Sequence, residues 1–199
     1  VQSVDFSSAM LTKLETRLGD VTNITTVECD GQDLPFEDDR FDLGVSMFGM
    51  MFFPNPSAGF SELRRVCKPG ARVCVGTWAT FERSELLQTL IAVLLPSFPE
   101  LAEHGGPVLA IEEELETAMR DGGFSGVNVR AITRPFRAPD VSTFWSAVKG
   151  SFAGVVAIRE ATDPDSFDQA EQEILARLYE KFEGPISLDS TALLGFATA

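Results

Sequence analysis

The chain has 199 residues, 44% of them hydrophobic, and a formal net charge of −14. That length and apolar content suffice to bury the core of one compact domain. The acidic balance, with no basic cluster larger than Arg64–Arg65 with Lys68, repels a phosphate backbone and argues against nucleic-acid partners. The longest apolar run, around Leu86–Leu95, is broken by Gln88 and Thr89 and stopped by Pro96, well short of the about 20 residues that span a membrane. No basic stretch followed by an apolar one opens the chain, so no secretory leader is expected. Three cysteines, Cys29, Cys67 and Cys74, are odd in number, the usage of a reducing compartment, and a cytoplasmic location is expected. The one histidine, His104, lies far from any cysteine, so no metal site is expected.

In chain order, short apolar runs alternate with helical periodicity as far as Gly70, a pattern that predicts a parallel sheet with helical crossovers. Val1–Val4 reads as the end of a strand, and Ser7 or Ser8 as the cap of a helix with Met10, Leu11, Leu14 and Leu18 on one face, closed by Gly19. Ile24–Cys29 is a second strand, Asp30–Arg40 a polar turn region, and Phe41–Met47 a buried third strand. Phe60, Leu63 and Cys67 form the stripe of the next helix, ended by Lys68-Pro69-Gly70, and Arg72–Thr77 is a fourth strand. Helices are expected over Ser84–Leu95, Ile111–Asp121, Phe144–Ile158 and Phe167–Phe182, with Val127–Phe136 and Ala192–Thr198 forming an antiparallel hairpin.

Three segments carry chemistry. Val4-Asp5-Phe6-Ser7 puts an acid after a strand and before a helix, where a carboxylate either accepts both hydroxyls of an adenosine ribose or caps the helix. Cys29-Asp30-Gly31-Gln32 puts a second acid at the next strand end, followed by a small residue; it suits the adenine edge, although acid-glycine pairs are also ordinary turns. Phe41–Met47 runs into Phe48-Gly49-Met50-Met51-Phe52-Phe53, and so apolar a loop at the carboxyl edge is either packing or the wall of a ligand site.

Together with Leu63-Arg64-Arg65-Val66-Cys67-Lys68-Pro69-Gly70-Ala71-Arg72-Val73, these segments resemble the small-molecule class I S-adenosylmethionine-dependent methyltransferases, notably the ubiquinone and menaquinone biosynthesis C-methyltransferases. The likeness covers Val1 to about Ala79. It implies an α/β fold with a doubly wound, Rossmann-like, mostly parallel sheet and an antiparallel C-terminal strand. It also implies that Asp5 holds the ribose of S-adenosylmethionine, that Phe6 and Met10 wall the adenine, and that Asp30, Gly31 and Gln32 contact its edge. Ser46 and Met47 would lie beside the methionine portion. In the family a strand and a glycine-rich loop come first, and neither is in this sequence, so the chain is expected to be truncated at its N-terminus, with the absent strand between those ending at Val4 and Met47.

Methyl transfer from a sulfonium needs alignment and exclusion of water more than a nucleophilic residue, so no catalytic residue is assigned. Glu103, His104 and Tyr179 are the candidate bases if the acceptor must lose a proton. Residues 80–123 and 140–183 are expected to include the acceptor lid of a single domain, with Phe81, Phe98, Trp145 and Phe152 favouring a small apolar or aromatic acceptor. The competing readings are a truncated domain acting through protein contacts and an NAD(P)-dependent oxidoreductase.

Overall fold

A computed structural model describes residues 1–99, 101 and 108–199. In chain order its elements are β1 (Gln2–Asp5), α1 (Ser8–Leu18), β2 (Thr25–Glu28), β3 (Phe41–Met47), α2 (Pro56–Val66), β4 (Cys67–Trp78), α3 (Glu85–Leu94), α4 (Glu112–Asp121), β5 (Ser125–Ala138), α5 (Val141–Ser151), α6 (Ala153–Ala161), α7 (Pro164–Lys181) and β6 (Ile186–Thr198). They fall into two units, Val1–Trp78 with Val108–Ala131 and Ala192–Ala199, and Ala79–Pro107 with Ile132–Thr191.

In the first unit β1 and β2 pair in parallel, Gln2 opposite Thr25 and Asp5 opposite Glu28. The connecting helix α1 starts where Ser7, in extended conformation, accepts the Met10 N–H. It stops at Gly19, whose φ of +53° a side chain would resist. Leu11 is its buried residue, while Met10 is exposed. A second parallel pair joins β3 to β4, with α2 as crossover. Strand β4 begins earlier than the sequence pattern predicts. Phe41 already lies opposite Cys67, and the register then shifts so that Leu43 faces Arg72; the shift falls across Pro69, which has no N–H to offer a ladder, and Gly70 at φ +85°.

The four-stranded sheet runs β3-β4-β6-β5. β6 is antiparallel to β4, Arg72 opposite Thr198 and Trp78 opposite Ala192. Ser125 donates to the Thr198 carbonyl, and the Thr133 and Thr191 hydroxyls bond each other, so β5 is antiparallel to β6 as the hairpin reading predicts.

One face of this sheet is covered. A Cβ on Gly44 would come within 2.8 Å of Cys67 Sγ and 2.9 Å of Leu63 on α2, and Gly195 leaves room for Met119 on α4. The other face is bare. Leu43, Val45 and Met47 are 60%, 54% and 48% exposed, although an apolar run of this kind predicts burial on both sides. No pairing joins β1 to β3, so the parallel array is in two pieces.

The second unit has its own core, with Leu90, Phe144, Trp145, Ile174 and Leu178 buried together. Ser84 caps α3 by accepting the Leu87 N–H and donates to Ser190, so a buried hydroxyl is satisfied. The single helix expected over Phe144–Ile158 is two, because Phe152 is extended and ends α5 as α6 begins. Gly150 and Gly154 flank the break, and glycine stabilises a helix poorly. Among the described residues no single helix is long and apolar enough to cross a membrane.

Candidate functional site

The residues expected to hold a cofactor gather at strand carboxyl ends. Asp5 and Glu28 are partners in the ladder, and the Cys29 N–H donates to the Asp5 carbonyl, so Asp5 and Asp30 leave adjacent strand ends. Asp5 Oδ1 accepts the Ser7 N–H at 2.8 Å, which orients the carboxylate while Ser7 itself caps α1. Beside it Phe6 is 76% exposed and Met10 52%, large apolar groups with no core around them.

Asp30 is held by one neighbour. Gln32 donates its backbone N–H to Oδ1 at 2.9 Å and its side-chain amide to both carboxylate oxygens, and these bonds keep the carboxyl below the usual carboxylate range. The same side chain reaches the next strand, its Oε1 accepting the Asn55 N–H at 2.9 Å. Gln32 is thus already engaged on both sides. Gly31 has a steric reason to be glycine, since a Cβ there would sit 2.5 Å from Phe53 Cζ; Gly59 on α2 makes the same room on the other side of the ring. Phe53 is wedged between two glycines, and it ties the turn after β2 to the loop after β3.

Two side chains of α2 hold the rest of that turn. Arg65 forks onto Glu62 (Nε to Oε1 at 2.7 Å, Nη2 to Oε2 at 2.6 Å) and also donates to the Leu34 and Phe36 carbonyls and to Asp38. Glu62 Oε2 in turn accepts the Leu34 N–H. The fork lowers the Glu62 pKa and raises that of Arg65. A charged residue three before an arginine on a helix is common, so the sequence pattern does not single out this pair. Their role depends on residues 34–38 passing within reach.

At the end of β3, Ser46 and Met47 alternate across the sheet. Ser46 Oγ lies 3.3 Å from where a Gly49 Cβ would be, and Met47 extends over Gly76. Phe48 then adopts φ +62°, costly for a bulky residue. Its N–H donates to Gly76 and its ring stacks on Trp78 at 4.3 Å. Of the apolar loop that follows, Met50 is buried, Phe53 sits between its glycines, and Phe52 is 58% exposed.

The other candidates are more dispersed. Phe98 and Trp145 lie in the core of the second unit and Tyr179 is exposed on α7; Phe81 and Phe152 are half-buried. Helix α4, within the stretch expected to include the lid, belongs to the first unit. Glu103 and His104 lie outside the described residues. Burial raises all three thiol pKa values, with Cys67 buried and Cys29 and Cys74 half-buried. Among the described residues no group of three or more His, Cys, Asp or Glu is placed to hold a metal ion.

A family model described as a methyltransferase domain matches residues 1–75. The demethylmenaquinone methyltransferase of Clavibacter sepedonicus is 39% identical over 80 residues, 40% of this chain and 33% of that protein. Its counterpart from Staphylococcus saprophyticus is 31% identical over 146 residues, 67% of this chain and 63% of that protein. The chain therefore spans from a third to somewhat under two thirds of these curated relatives. Among solved structures, the YcgJ protein from Bacillus subtilis matches with a TM-score of 0.57 at 16% identity, over 99% of this chain and 81% of that one. Phosphoethanolamine N-methyltransferase 2 of Haemonchus contortus, in complex with S-adenosyl-L-methionine, matches with a TM-score of 0.55 at 17% identity, over 100% of this chain and 43% of that one. At these identities the two structures speak for the fold.

Proposed function

We propose that the chain, which is similar to methyltransferases over its N-terminal part and beyond, is of the small-molecule class I S-adenosylmethionine-dependent type and forms the ribose-, adenine- and acceptor-binding part of an enzyme that methylates a small apolar or aromatic molecule. The observation that carries this reading is the pair of acids at adjacent strand ends, Asp5 after β1 and Asp30 after β2, joined through the Cys29 N–H to Asp5 carbonyl bond.

Asp5 keeps one carboxylate oxygen for a ligand, because only Oδ1 is taken by Ser7; it accepts from the ribose hydroxyls. Asp30, ionised and oriented by Gln32, accepts from the adenine amino group. Phe6 and Met10 cover the faces of the base, and Gly31 presents its backbone to the edge. Gln32, spent on Asp30 and Asn55, contributes by holding Asp30. Ser46 and Met47, at the end of β3, lie toward the methionine portion. The cofactor supplies an electrophilic methyl group on a sulfonium. The chain's own work is alignment and the exclusion of water, so it needs no nucleophile of its own. The named substrate of the demethylmenaquinone relatives and the half-buried Phe81 and Phe152 favour an apolar acceptor. We place the protein in the cytoplasm, acting on a small molecule and not on nucleic acid.

The non-catalytic reading draws on one observation, the divided sheet. S-adenosylhomocysteine titrated calorimetrically into the chain, and into a form extended ahead of Val1, decides between them. Binding is expected, with Asp5→Ala weakening it about 10- to 100-fold, the worth of a hydrogen bond to a charged group. Preference for NADH, or equal binding by Asp5→Ala, would overturn the assignment.

A further inference from the structure

Asp39, Phe48 and Leu109 have positive φ without being glycine. Asp39 lies in the polar turn ahead of β3, and aspartate tolerates this conformation; Phe48 at +62° and Leu109 at +58° are bulky and resist it. Both are tied to the end of β4. The Phe48 N–H donates to the Gly76 carbonyl at 2.8 Å, and the Leu109 carbonyl accepts the hydroxyl of the fully buried Thr77, also at 2.8 Å. Backbone held this way costs energy and gathers where a ligand is clamped. Here it gathers at the carboxyl end of two parallel strands.

The left-handed turn at Phe48 has a visible result. In a continued strand its ring would follow Gly44 and Ser46 onto the covered face of the sheet. Instead it leaves that alternation and stacks on Trp78, the last residue of β4, at 4.3 Å with 23° between the planes. Both rings are half-buried and neither belongs to the buried core, so the stack keeps an open side. Among the described residues nothing accepts the Trp78 indole N–H, whereas the other tryptophan, Trp145, donates its own to Glu171 at 2.6 Å. A tryptophan N–H drawn away from water ordinarily has a partner.

We infer that the Phe48–Trp78 pair selects the methyl acceptor: a flat aromatic ring extends the stack, and an oxygen substituent on that ring accepts the Trp78 N–H. This rests on the function proposed above, in which Ser46 and Met47, immediately ahead of Phe48, lie toward the methionine portion of the cofactor, and it narrows the acceptor from apolar molecules in general to planar aromatic ones. A saturated ring of the same size buries similar area but has no π-face to stack, a difference of roughly 2- to 10-fold in affinity.

The two tryptophans give two indole signals in a nitrogen–proton correlation spectrum of the 199-residue chain, assigned by Trp78→Phe. Titrated α-naphthol is expected to move the Trp78 signal and to leave that of Trp145, buried in the second unit, in place. Its fully saturated counterpart, decahydronaphthol, should bind roughly 2- to 10-fold more weakly, and Phe48→Gly should weaken α-naphthol by a similar factor. No movement of the Trp78 signal, equal affinity for the two alcohols, or α-naphthol binding unchanged by Phe48→Gly would overturn the inference. S-adenosylhomocysteine titration is a separate readout. Ring binding at Trp78 in a protein that takes no S-adenosylhomocysteine would sink the proposed activity and keep the ring site, while the converse would keep the activity and sink the ring site.

Discussion

Phe53 shows how one ring constrains two distant glycines. A methyl group at position 31 would lie 2.5 Å from its Cζ, and one at 59 would meet Cδ2 and Cε2. Gly31→Ala is expected to cost about 1–3 kcal/mol through overpacking, read by denaturant unfolding. Phe53→Leu in the same chain should recover most of the loss, because the two changes share one volume and do not add. Phe48 offers a contrasting case. Its left-handed backbone costs about 1–3 kcal/mol, which the Trp78 stack offsets. Phe48→Gly is therefore expected to be nearly neutral in thermal melts, and Phe48→Val, β-branched at φ +62°, clearly destabilising. The sequence marks the loop around these residues as too apolar for a loop. It does not mark which ring packs inward, because that depends on glycines 22 residues before Phe53 and six after it.

Among the elements, α2 holds the turn after β2 through Arg65 and Glu62, and the hold is pH-dependent. The Glu62 pKa is lowered chiefly by its bond from Arg65, so its folded value lies below the unfolded value near about 4.3. A depressed carboxyl contributes stability above the unfolded pKa and loses it as pH falls through the folded one. Glu62→Gln should therefore lower the melting temperature at neutral pH and narrow its gap to the parent below about pH 4, measured by calorimetry across that range. Arg65→Met removes bonds to Leu34, Phe36, Asp38 and Glu62 at once, a loss of about 2–4 kcal/mol by unfolding. Elements bounded by strong local signals were legible from residues alone. β3 spans Phe41–Met47 as its apolar run predicts, and Ser7, one of the two caps expected for α1, caps it through an ordinary side-chain bond. The break at Phe152 was not, since helical periodicity continues across it in phase.

At the scale of the molecule, the candidate site is legible in the sequence as an order of segments: acid, acid, apolar loop, each after a strand. The place of the division follows from the resemblance, which sets an absent strand between those ending at Val4 and Met47, and not from hydrophobic pattern, which records what a strand is suited to bury: β3 is patterned for burial on both faces while Leu43 and Val45 stand exposed. The local assembly of β1, α1 and β2 packs chiefly within itself, and the turn after β2 is tied to the rest through Phe53, Gln32, Glu62 and Arg65. Few such ties mean weak thermodynamic coupling. The N-terminal thirty or so residues should open as a unit of their own, below the free energy of global unfolding. Heating should then show a van't Hoff enthalpy smaller than the calorimetric one, with a seam in the sheet appearing as a lost cooperativity of melting.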